Sequence, residues 1–325
     1  MNAPGPGLDL SGVTTLQLVV TYGCNLACAY CPTHKADDHM TPATASLALE
    51  RFLGKDGLPH LDTVRFFGAE PLMNLEVITT AAAKARELRF KQGQPPPTLA
   101  VTTNGTLLTA PVLKALEGFQ LTVSLDGPPE VQHATRPGAA DSIAWLDQAA
   151  PLLIHRQPPV TVNLTIAPSQ ARHLMENFRW LYGRGFRSFN LLPAYYTPWS
   201  KARLADLARS FATLARLVTA MEDKGLRLAI RNRGVQSPTP FFNQALTVDT
   251  DGELYLTNAI LTRRLRPFRA SLGIGNAAQI HLHPPAVGLE DLLCRAFTRP
   301  QREGTAAADR LLGDFVAAIG PGVRP

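Results

Sequence analysis

Apolar and polar positions follow two different periods along the first two thirds of the chain. Short runs rich in β-branched and aromatic residues predict strands, and longer stretches between them repeat apolar residues at the spacing of an amphipathic helix. The predicted strands cover residues 14–21, 63–67, 98–103, 120–125, 160–166 and 188–192. The predicted helices cover residues 42–54, 75–91, 109–117, 141–155, 169–183 and 200–224.

Six strand–helix units in succession predict an α/β fold with a parallel sheet, buried on both faces and joined by right-handed crossovers. An incomplete barrel and an open doubly wound sheet both satisfy this pattern. After residue 225 the pattern changes to short strands, with Asp251-Gly252 as a hairpin turn and a final helix over 304–319. We therefore expect a domain over 14–224 and a smaller α+β domain over 225–325.

Polar and glycine-rich segments follow four of the predicted strands directly. These segments are residues 22–25, 68–71, 104–106 and 126–129. Parallel α/β proteins place their sites at the carboxyl ends of the strands. The sequence therefore predicts that the residues with chemical function meet at one rim of the sheet.

Composition places the chain among ordinary globular proteins. Its 325 residues are 45% hydrophobic and 18% charged, and they contain no run of 18 apolar residues. The N-terminus lacks the basic start and apolar run of a secretory signal, so we expect a cytoplasmic protein with no membrane partner. The net charge of +6 is mild, and a nucleic-acid partner is not expected. An arginine group formed by Arg263, Arg264, Arg266 and Arg269 is read as a solvated loop, with an acidic partner, a phosphate or nucleic acid as the alternative.

Three of the four cysteines lie within eight residues, in the loop after the first strand. Cys24, Cys28 and Cys31 form a C-x3-C-x2-C pattern, and the missing export signal argues against disulfides. Three thiolates can hold a [4Fe–4S] cluster and leave one iron without a protein ligand. The alternatives are a zinc ion that also takes His34, although this spacing is atypical of zinc sites, and a chance grouping of structural cysteines.

The cysteine pattern, with an aromatic residue before its last cysteine, resembles the signature of the radical S-adenosylmethionine (radical SAM) superfamily. Residues 66–72 resemble the family's GGEP segment, and residues 103–108 and 123–127 resemble its segments at the third and fourth strands. Together with Arg136 after His133, the set is similar to the branch that contains anaerobic sulfatase-maturating enzymes and SPASM peptide maturases. The resemblance covers residues 14–195.

This resemblance implies a fold, cofactors and partners. The fold would be a partial (β/α)6 TIM-type barrel with a SPASM/twitch-like C-terminal appendage. One [4Fe–4S] cluster on Cys24, Cys28 and Cys31 would bind S-adenosylmethionine at its open iron. An electron from an external donor such as flavodoxin or ferredoxin would cleave the C–S bond and give a 5′-deoxyadenosyl radical.

The resemblance also implies a set of residues that bind S-adenosylmethionine. The turn at Gly68 would present carbonyls to the amino group with Glu70 close by, and Ala69 departs from the family's second glycine. Arg136 would pair with the cofactor carboxylate or form a surface ion pair, and Tyr30 would lie near the adenine or pack over the cluster. The full candidate set is Tyr30, Gly68, Ala69, Glu70, Pro71, Thr103, Asn104, Ser124, Asp126, Arg136, Asn163 and Leu192.

The C-terminal part departs from the SPASM pattern in its cysteines. Residues 248–256 resemble the start of that domain and residues 272–276 a later piece, but Thr257-Asn258 replaces the expected cysteine. Only Cys294 remains, and one cysteine cannot hold a four-iron cluster. We therefore expect a domain that keeps the SPASM shape without auxiliary clusters.

The function predicted from this resemblance is radical modification of a peptide or protein side chain. One alternative is a radical SAM enzyme that acts on a small molecule as an epimerase, dehydratase or mutase. Another is a family member without catalytic activity that serves as a binding module.

Overall fold

A computed structural model describes residues 8–138, 143–226, 228–234, 244–279 and 282–321. In these ranges the strands form one ten-stranded sheet. The strands are β1 (Thr15–Thr21), β2 (Thr63–Gly68), β3 (Thr98–Thr103), β4 (Gln120–Ser124), β5 (Thr161–Ile166), β6 (Ser188–Pro193), β7 (Ala229–Ile230), β8 (Gln244–Val248), β9 (Glu253–Thr257) and β10 (Gly273–Asn276). The α-helices are α1 (Pro42–Leu53), α2 (Leu75–Lys91), α3 (Ala110–Ala115), α4 (Pro129–Thr135), α5 (Ala144–Ile154), α6 (Leu174–Gly183), α7 (Lys201–Asp223), α8 (Arg269–Leu272), α9 (Leu289–Ala296) and α10 (Arg299–Ile319).

The strands from β1 to β7 lie side by side in sequence order and pair in parallel. A doubly wound sheet reverses its strand order at a switch point. The uninterrupted order is that of an incomplete barrel, which confirms the predicted partial-barrel fold. The six predicted strands are also confirmed, each within two residues at either end. Residues 141 and 142 of the predicted helix 141–155 lie outside the described residues.

Fully buried and partly buried side chains alternate along the strands, so the two faces of the sheet differ. Val64 and Phe66 of β2 are fully buried in the main hydrophobic core, which the helices cover. Arg65 and Phe67 alternate with them, and each is only partly buried. Because side chains alternate across a strand, Arg65 and Phe67 face the concave side of the sheet.

The part of the chain from residue 225 onward, here called the C-terminal segment, extends this sheet at both edges. The short strand β7 lies beside β6, while β8 pairs in parallel with β1 and carries the antiparallel strands β9 and β10. The predicted hairpin turn joins β8 to β9, with Gly252 at a φ of 84°. The predicted division of the chain at residues 224 and 225 stays a proposal, since strands from both parts share one sheet.

A second hydrophobic cluster packs the C-terminal segment against the barrel. It joins Val19 and Tyr22, at the end of β1, to Tyr255 of β9 and to Phe297 after α9. Tyr196, after β6, stacks on Phe297 with ring centroids 4.3 Å apart. No helix in the described part of the chain is both long and apolar enough to cross a membrane.

The last helix is anchored by an aromatic contact with the barrel. Phe315 of α10 is 2% exposed and stacks on Phe211 of α7, with ring centroids 5.1 Å apart. We expect Phe315→Ala to lower the free energy of unfolding by about 3–5 kcal/mol, because it removes a buried aromatic side chain. Urea denaturation of the two proteins measures this difference. The control Phe315→Leu should cost less than about 1.5 kcal/mol, since it conserves most of the buried volume. Equal losses for the two variants would contradict the role of the ring.

Candidate active site

The three clustered cysteines lie in a loop that begins where β1 ends. All three thiols are free and partly buried. The loop is held by its backbone, since the amides of Ala27 and Ala29 donate to the carbonyls of Pro137 and Thr135. The loop is therefore fixed from two sides, by β1 and by the end of α4 with the residues that follow it.

The donor set has the composition that an iron–sulfur cluster takes. Cys24, Cys28 and Cys31 are three free thiols in one loop. Each cysteine of a [4Fe–4S] cluster binds a different iron, so these thiols can supply three of its four ligands. The alternative zinc site, which adds His34, stays a prediction.

Burial affects the protonation of these thiols. Burial, with smaller contributions from the nearby Cys31, Asp126 and Cys24, raises the pKa of Cys28 to about 11, against the lowering effect of Arg136. Burial likewise raises the pKa of Cys24. The thiols of Cys24 and Cys28 are therefore protonated in the free protein, and ligation to iron releases their protons.

Glu70 lies at the rim and holds the ends of three strands together. Its side chain is fully buried. One carboxylate oxygen accepts hydrogen bonds from the Thr103 hydroxyl (2.7 Å) and the Leu72 amide (3.1 Å), and the other accepts from the Asn104 amide (2.6 Å). The Glu70 amide donates to the Gly23 carbonyl, next to the first cysteine. Glu70 thus positions the turn after β2, and its carboxylate points into the protein.

Burial raises the pKa of Glu70 to about 7, although its three donors favour the ionised form. These bonds occupy the carboxylate with groups of the protein itself. Glu70 is therefore a positioning residue in this structure. Its predicted contact with the amino group of S-adenosylmethionine stays a prediction.

Gly68 and Ala69 bring the β2 turn against β1. Gly68 has a φ of 147°, and a Cβ atom there would lie 2.2 Å from the Thr21 carbonyl oxygen. The Ala69 amide donates to that same oxygen at 3.0 Å. The turn needs glycine at position 68, whereas Ala69 is accommodated with its backbone bonded. Pro71 follows as the first residue of a 3-10 turn and is buried.

Asn104 connects the end of β3 to the cysteine loop. Its side-chain amide donates to the Asn25 side chain at 2.9 Å, and Asn25 in turn donates to the Thr106 hydroxyl at 2.8 Å. Both the amide and the hydroxyl of Thr106 donate back to Asn104. The predicted set does not include Asn25, although its position directly after Cys24 is a signal in the sequence.

Asp126 is the acceptor at the centre of a second buried network. It is 1% exposed and accepts hydrogen bonds from the Tyr30 hydroxyl (2.6 Å) and the Thr135 hydroxyl (2.8 Å). It also forms a two-point ion pair with Arg136, at 3.0 and 3.1 Å, and accepts from the Thr165 amide. The network connects β4, β5, α4 and the cysteine loop.

The structure corrects one alternative for Arg136. The side chain is 7% exposed, so the ion pair is buried and the alternative of a surface salt bridge is wrong. Burial by itself would lower the pKa of Arg136, but Asp126, Tyr30 and Cys28 together outweigh burial and raise it. The guanidinium also lies 5.4 Å from the centre of the Tyr30 ring, which places Tyr30 over the network. A role for Tyr30, Asp126 or Arg136 in binding S-adenosylmethionine stays a prediction.

The remaining candidates lie on the concave face of the barrel. Ser124 and Asn163 are neighbours across β4 and β5, and the side-chain oxygen of Asn163 accepts from the side-chain amide of Asn190 at 2.9 Å. Leu192 follows on β6 and is partly buried against the second hydrophobic cluster. Arg65 on this face was not a candidate, although it is the one charged residue in β1 to β6.

The arginine group divides into two pairs. Arg266 and Arg269 form ion pairs with the buried Asp249, at 3.4 and 3.2 Å, and Arg269 also pairs with Asp251. The reading as a solvated loop is therefore wrong for these two. Arg263 and Arg264 are exposed, as predicted.

The close approach at Gly68 gives a sharp test of the β2 turn. We expect Gly68→Ala to destabilise the protein by about 1–3 kcal/mol from backbone strain, besides the clash with Thr21. The control is Gly313→Ala in α10, where a Cβ atom meets nothing within 4 Å. That variant should gain about 0.5–1 kcal/mol through helix propensity. Thermal denaturation measures both, and similar effects for the two variants would contradict the tight turn.

The Asp126 network predicts a large cost for breaking its ion pair. Asp126→Asn leaves Arg136 charged and buried, so we expect a loss of about 3–5 kcal/mol in the free energy of unfolding. Asp147→Asn is the matched control, because Asp147 pairs with Arg184 while its side chain is 74% exposed. That change should cost less than about 1 kcal/mol. Urea denaturation of the metal-free proteins gives both values, and a small loss for Asp126→Asn would refute the assigned network.

Comparison with known proteins agrees with this site. The model of the radical SAM superfamily matches residues 18–181, just over half of the chain. GTP 3′,8-cyclase of Mycobacterium marinum is 30% identical over 201 residues, which cover 57% of this chain and 53% of that protein. The cysteine-type anaerobic sulfatase-maturating enzyme of Clostridium perfringens is 26% identical over 176 residues, covering 51% and 47%. The chain thus spans about half the length of these curated relatives.

Solved structures show the same fold. The structure of anSMEcpe with bound AdoMet has a TM-score of 0.68 at 20% identity, covering 90% of this chain and 83% of that one. Streptococcus suis SuiB bound to the precursor peptide SuiA has a TM-score of 0.54 at 14% identity, covering 90% and 66%. With the family match and the cysteine loop at the rim of a partial barrel, these findings establish that the chain belongs to the radical SAM superfamily, whose enzymes use a [4Fe–4S] cluster and S-adenosylmethionine.

Proposed function

We propose that this protein cleaves S-adenosylmethionine reductively at a single [4Fe–4S] cluster and uses the radical to modify a peptide or protein side chain. The observation that carries the proposal is the loop of three free, partly buried thiols, fixed to the strand ends at one rim. Cys24, Cys28 and Cys31 would hold the cluster. When bound, the cluster and S-adenosylmethionine supply a 5′-deoxyadenosyl radical that abstracts a hydrogen atom.

The residues of this chain would bind and orient the cofactors and the substrate, and they would exclude water from the site. Glu70 keeps the β2 turn next to the loop, and Asn104 holds the loop through Asn25. Tyr30 donates its hydroxyl hydrogen bond to Asp126 and covers the loop from the β4 side. The concave face between β4 and β6 offers Ser124 and Asn163 to a substrate.

Two observations favour a peptide substrate. The neighbours anSMEcpe and SuiB were both solved with bound peptides, and their likeness covers about 90% of this chain. That coverage takes in the C-terminal segment, which packs on the concave side through the second hydrophobic cluster. A peptide could therefore be held between the barrel and this segment.

A small anionic substrate is the second candidate, because of Arg65. Its guanidinium faces the concave side with no ion-pair partner among the described residues, and burial lowers its pKa. Gln17, beside it in the register of β1 and β2, is fully buried, with both side-chain polar atoms unpaired among those residues. An unpaired cation next to an unsatisfied amide suits a carboxylate or phosphate. The sequence relatives include GTP 3′,8-cyclases, which agrees with this candidate.

The proposal predicts the effects of two cysteine substitutions. Anaerobic reconstitution should load about four irons per chain, as expected for one cluster. Cys28→Ala should lose the cluster absorbance and all formation of 5′-deoxyadenosine, because it removes a ligand. Cys294→Ala is the control, since this exposed cysteine lies outside the loop, and it should keep both. A Cys28→Ala variant that still cleaves S-adenosylmethionine would contradict the assignment.

The same assay separates the two substrate classes. Candidate peptides and GTP are added in turn to the reconstituted protein, and the rate of 5′-deoxyadenosine formation is compared with the rate without substrate. Stimulation by peptides supports the leading proposal. Stimulation by GTP that is lost in Arg65→Gln supports the anionic small molecule instead.

A further inference from the structure

Arg263 and Arg264 lie directly beside the loop that carries the three cysteines. The Arg263 amide donates to the Pro32 carbonyl at 2.9 Å, and Pro32 follows Cys31. The His34 amide donates to the Leu261 carbonyl at 2.7 Å, and Thr33 forms an isolated β-bridge with Thr262. The C-terminal segment is therefore joined by its backbone to the residues that follow the third cysteine.

This junction is surrounded by basic side chains, of which all but the partly buried Arg302 are exposed. Arg264 donates to the Ala296 carbonyl at 3.2 Å, and Arg302 donates to the Cys294 carbonyl at 3.1 Å, so both meet around the end of α9. Arg295 is exposed between those two contacts. On the other side of the loop, the exposed Lys35 bonds to the Leu26 carbonyl. We call Lys35, Arg263, Arg264, Arg295 and Arg302 the basic surface.

The charge of the basic surface is not neutralised within the described part of the chain. None of its members forms an ion pair there, whereas Arg266 and Arg269 are paired with Asp249 and Asp251. Arg264 and Arg302 help to cap the carbonyls at the end of α9, which explains one N–H group of each. Capping gives no role to the side chains of Arg263 and Arg295. Both are exposed, and neither forms a side-chain hydrogen bond among the described residues.

The position of the basic surface suggests its partner. Reductive cleavage needs one electron from outside, and the C-terminal segment lacks the cysteines that could hold auxiliary clusters. Electron transfer slows steeply with distance, so a donor must dock next to the cysteine loop. Complementary charge speeds and orients such an encounter, and a basic surface selects an acidic partner.

We infer that the basic surface is the docking site of a small acidic redox protein, of the flavodoxin type, that delivers one electron at a time. This inference rests on the proposed function, since it assigns the source of the electron for the same site. In the step, the donor loses one electron to the cluster and is oxidised by one, with no proton or chemical group transferred. The donor then leaves and is reduced elsewhere.

The test compares a protein donor with a chemical one. The double variant Arg263→Gln/Arg295→Gln removes two charges without breaking a side-chain hydrogen bond of the described structure. With reduced flavodoxin, we expect its rate of 5′-deoxyadenosine formation at low salt to fall on the order of tenfold, with a weaker dependence on ionic strength. With dithionite, the rate should equal that of the unmodified protein. The control Arg179→Gln/Arg216→Gln makes the same charge change on the exposed outer sides of α6 and α7 and should alter neither rate.

A second readout does not need catalysis. Calorimetric titration of oxidised flavodoxin into the iron-loaded protein should show binding that the Arg263→Gln/Arg295→Gln variant weakens and the control variant retains. The inference is overturned if both variants bind flavodoxin equally, or if the flavodoxin-driven rates are the same. Failure of the proposed function would appear differently, as an unmodified protein that makes no 5′-deoxyadenosine with dithionite, and the titration still decides the docking surface in that case.

Discussion

The buried carboxylate of Glu70 is the interaction on which the arrangement of this site depends. It lies where the ends of β1, β2 and β3 meet, and it accepts hydrogen bonds from the Thr103 hydroxyl and from the amides of Leu72 and Asn104. A buried carboxylate without hydrogen-bond donors would destabilise the fold. The three donor groups are therefore held within hydrogen-bond distance of Glu70. The Glu70 amide also donates to the Gly23 carbonyl, so the same residue fixes the position of the cysteine loop relative to the ends of the strands.

A second buried centre completes the support of the loop. Asp126 pairs with Arg136 and accepts from Tyr30, which belongs to the cysteine segment itself. The loop is thus held at Gly23 by the network around Glu70 and at Tyr30 by the network around Asp126. Two independent anchors, one at each end, suit a loop that must present three thiols in a fixed arrangement. Preorganisation of this kind spares the cost of ordering the ligands when a cluster binds.

The C-terminal segment contributes to the site although Cys294 is its only cysteine. It extends the barrel sheet through β8 to β10, packs on the concave side and reaches the cysteine loop at Pro32. Its paired arginines, Arg266 and Arg269, both bind Asp249 at the end of β8, and Arg266 also reaches the barrel, 4.5 Å from the ring of Tyr22. The proposed docking of an electron donor gives the unpaired arginines beside them a separate role.

Local patterns in the sequence determined the strands β1 to β6, the main helices and the family. They also determined that the polar segments after the strands meet at one edge of the parallel sheet. They did so because periodicity, turn residues and cysteine spacing are properties of neighbouring positions. The pairing of Asp126 with Arg136, the anchoring of Asn104 on Asn25 and the division of the arginine group were decided only by the tertiary structure. These contacts join positions from 10 to 79 residues apart, or depend on which side chains become buried. No local pattern carries that information, because the partner of a buried polar group is set by the three-dimensional packing around it.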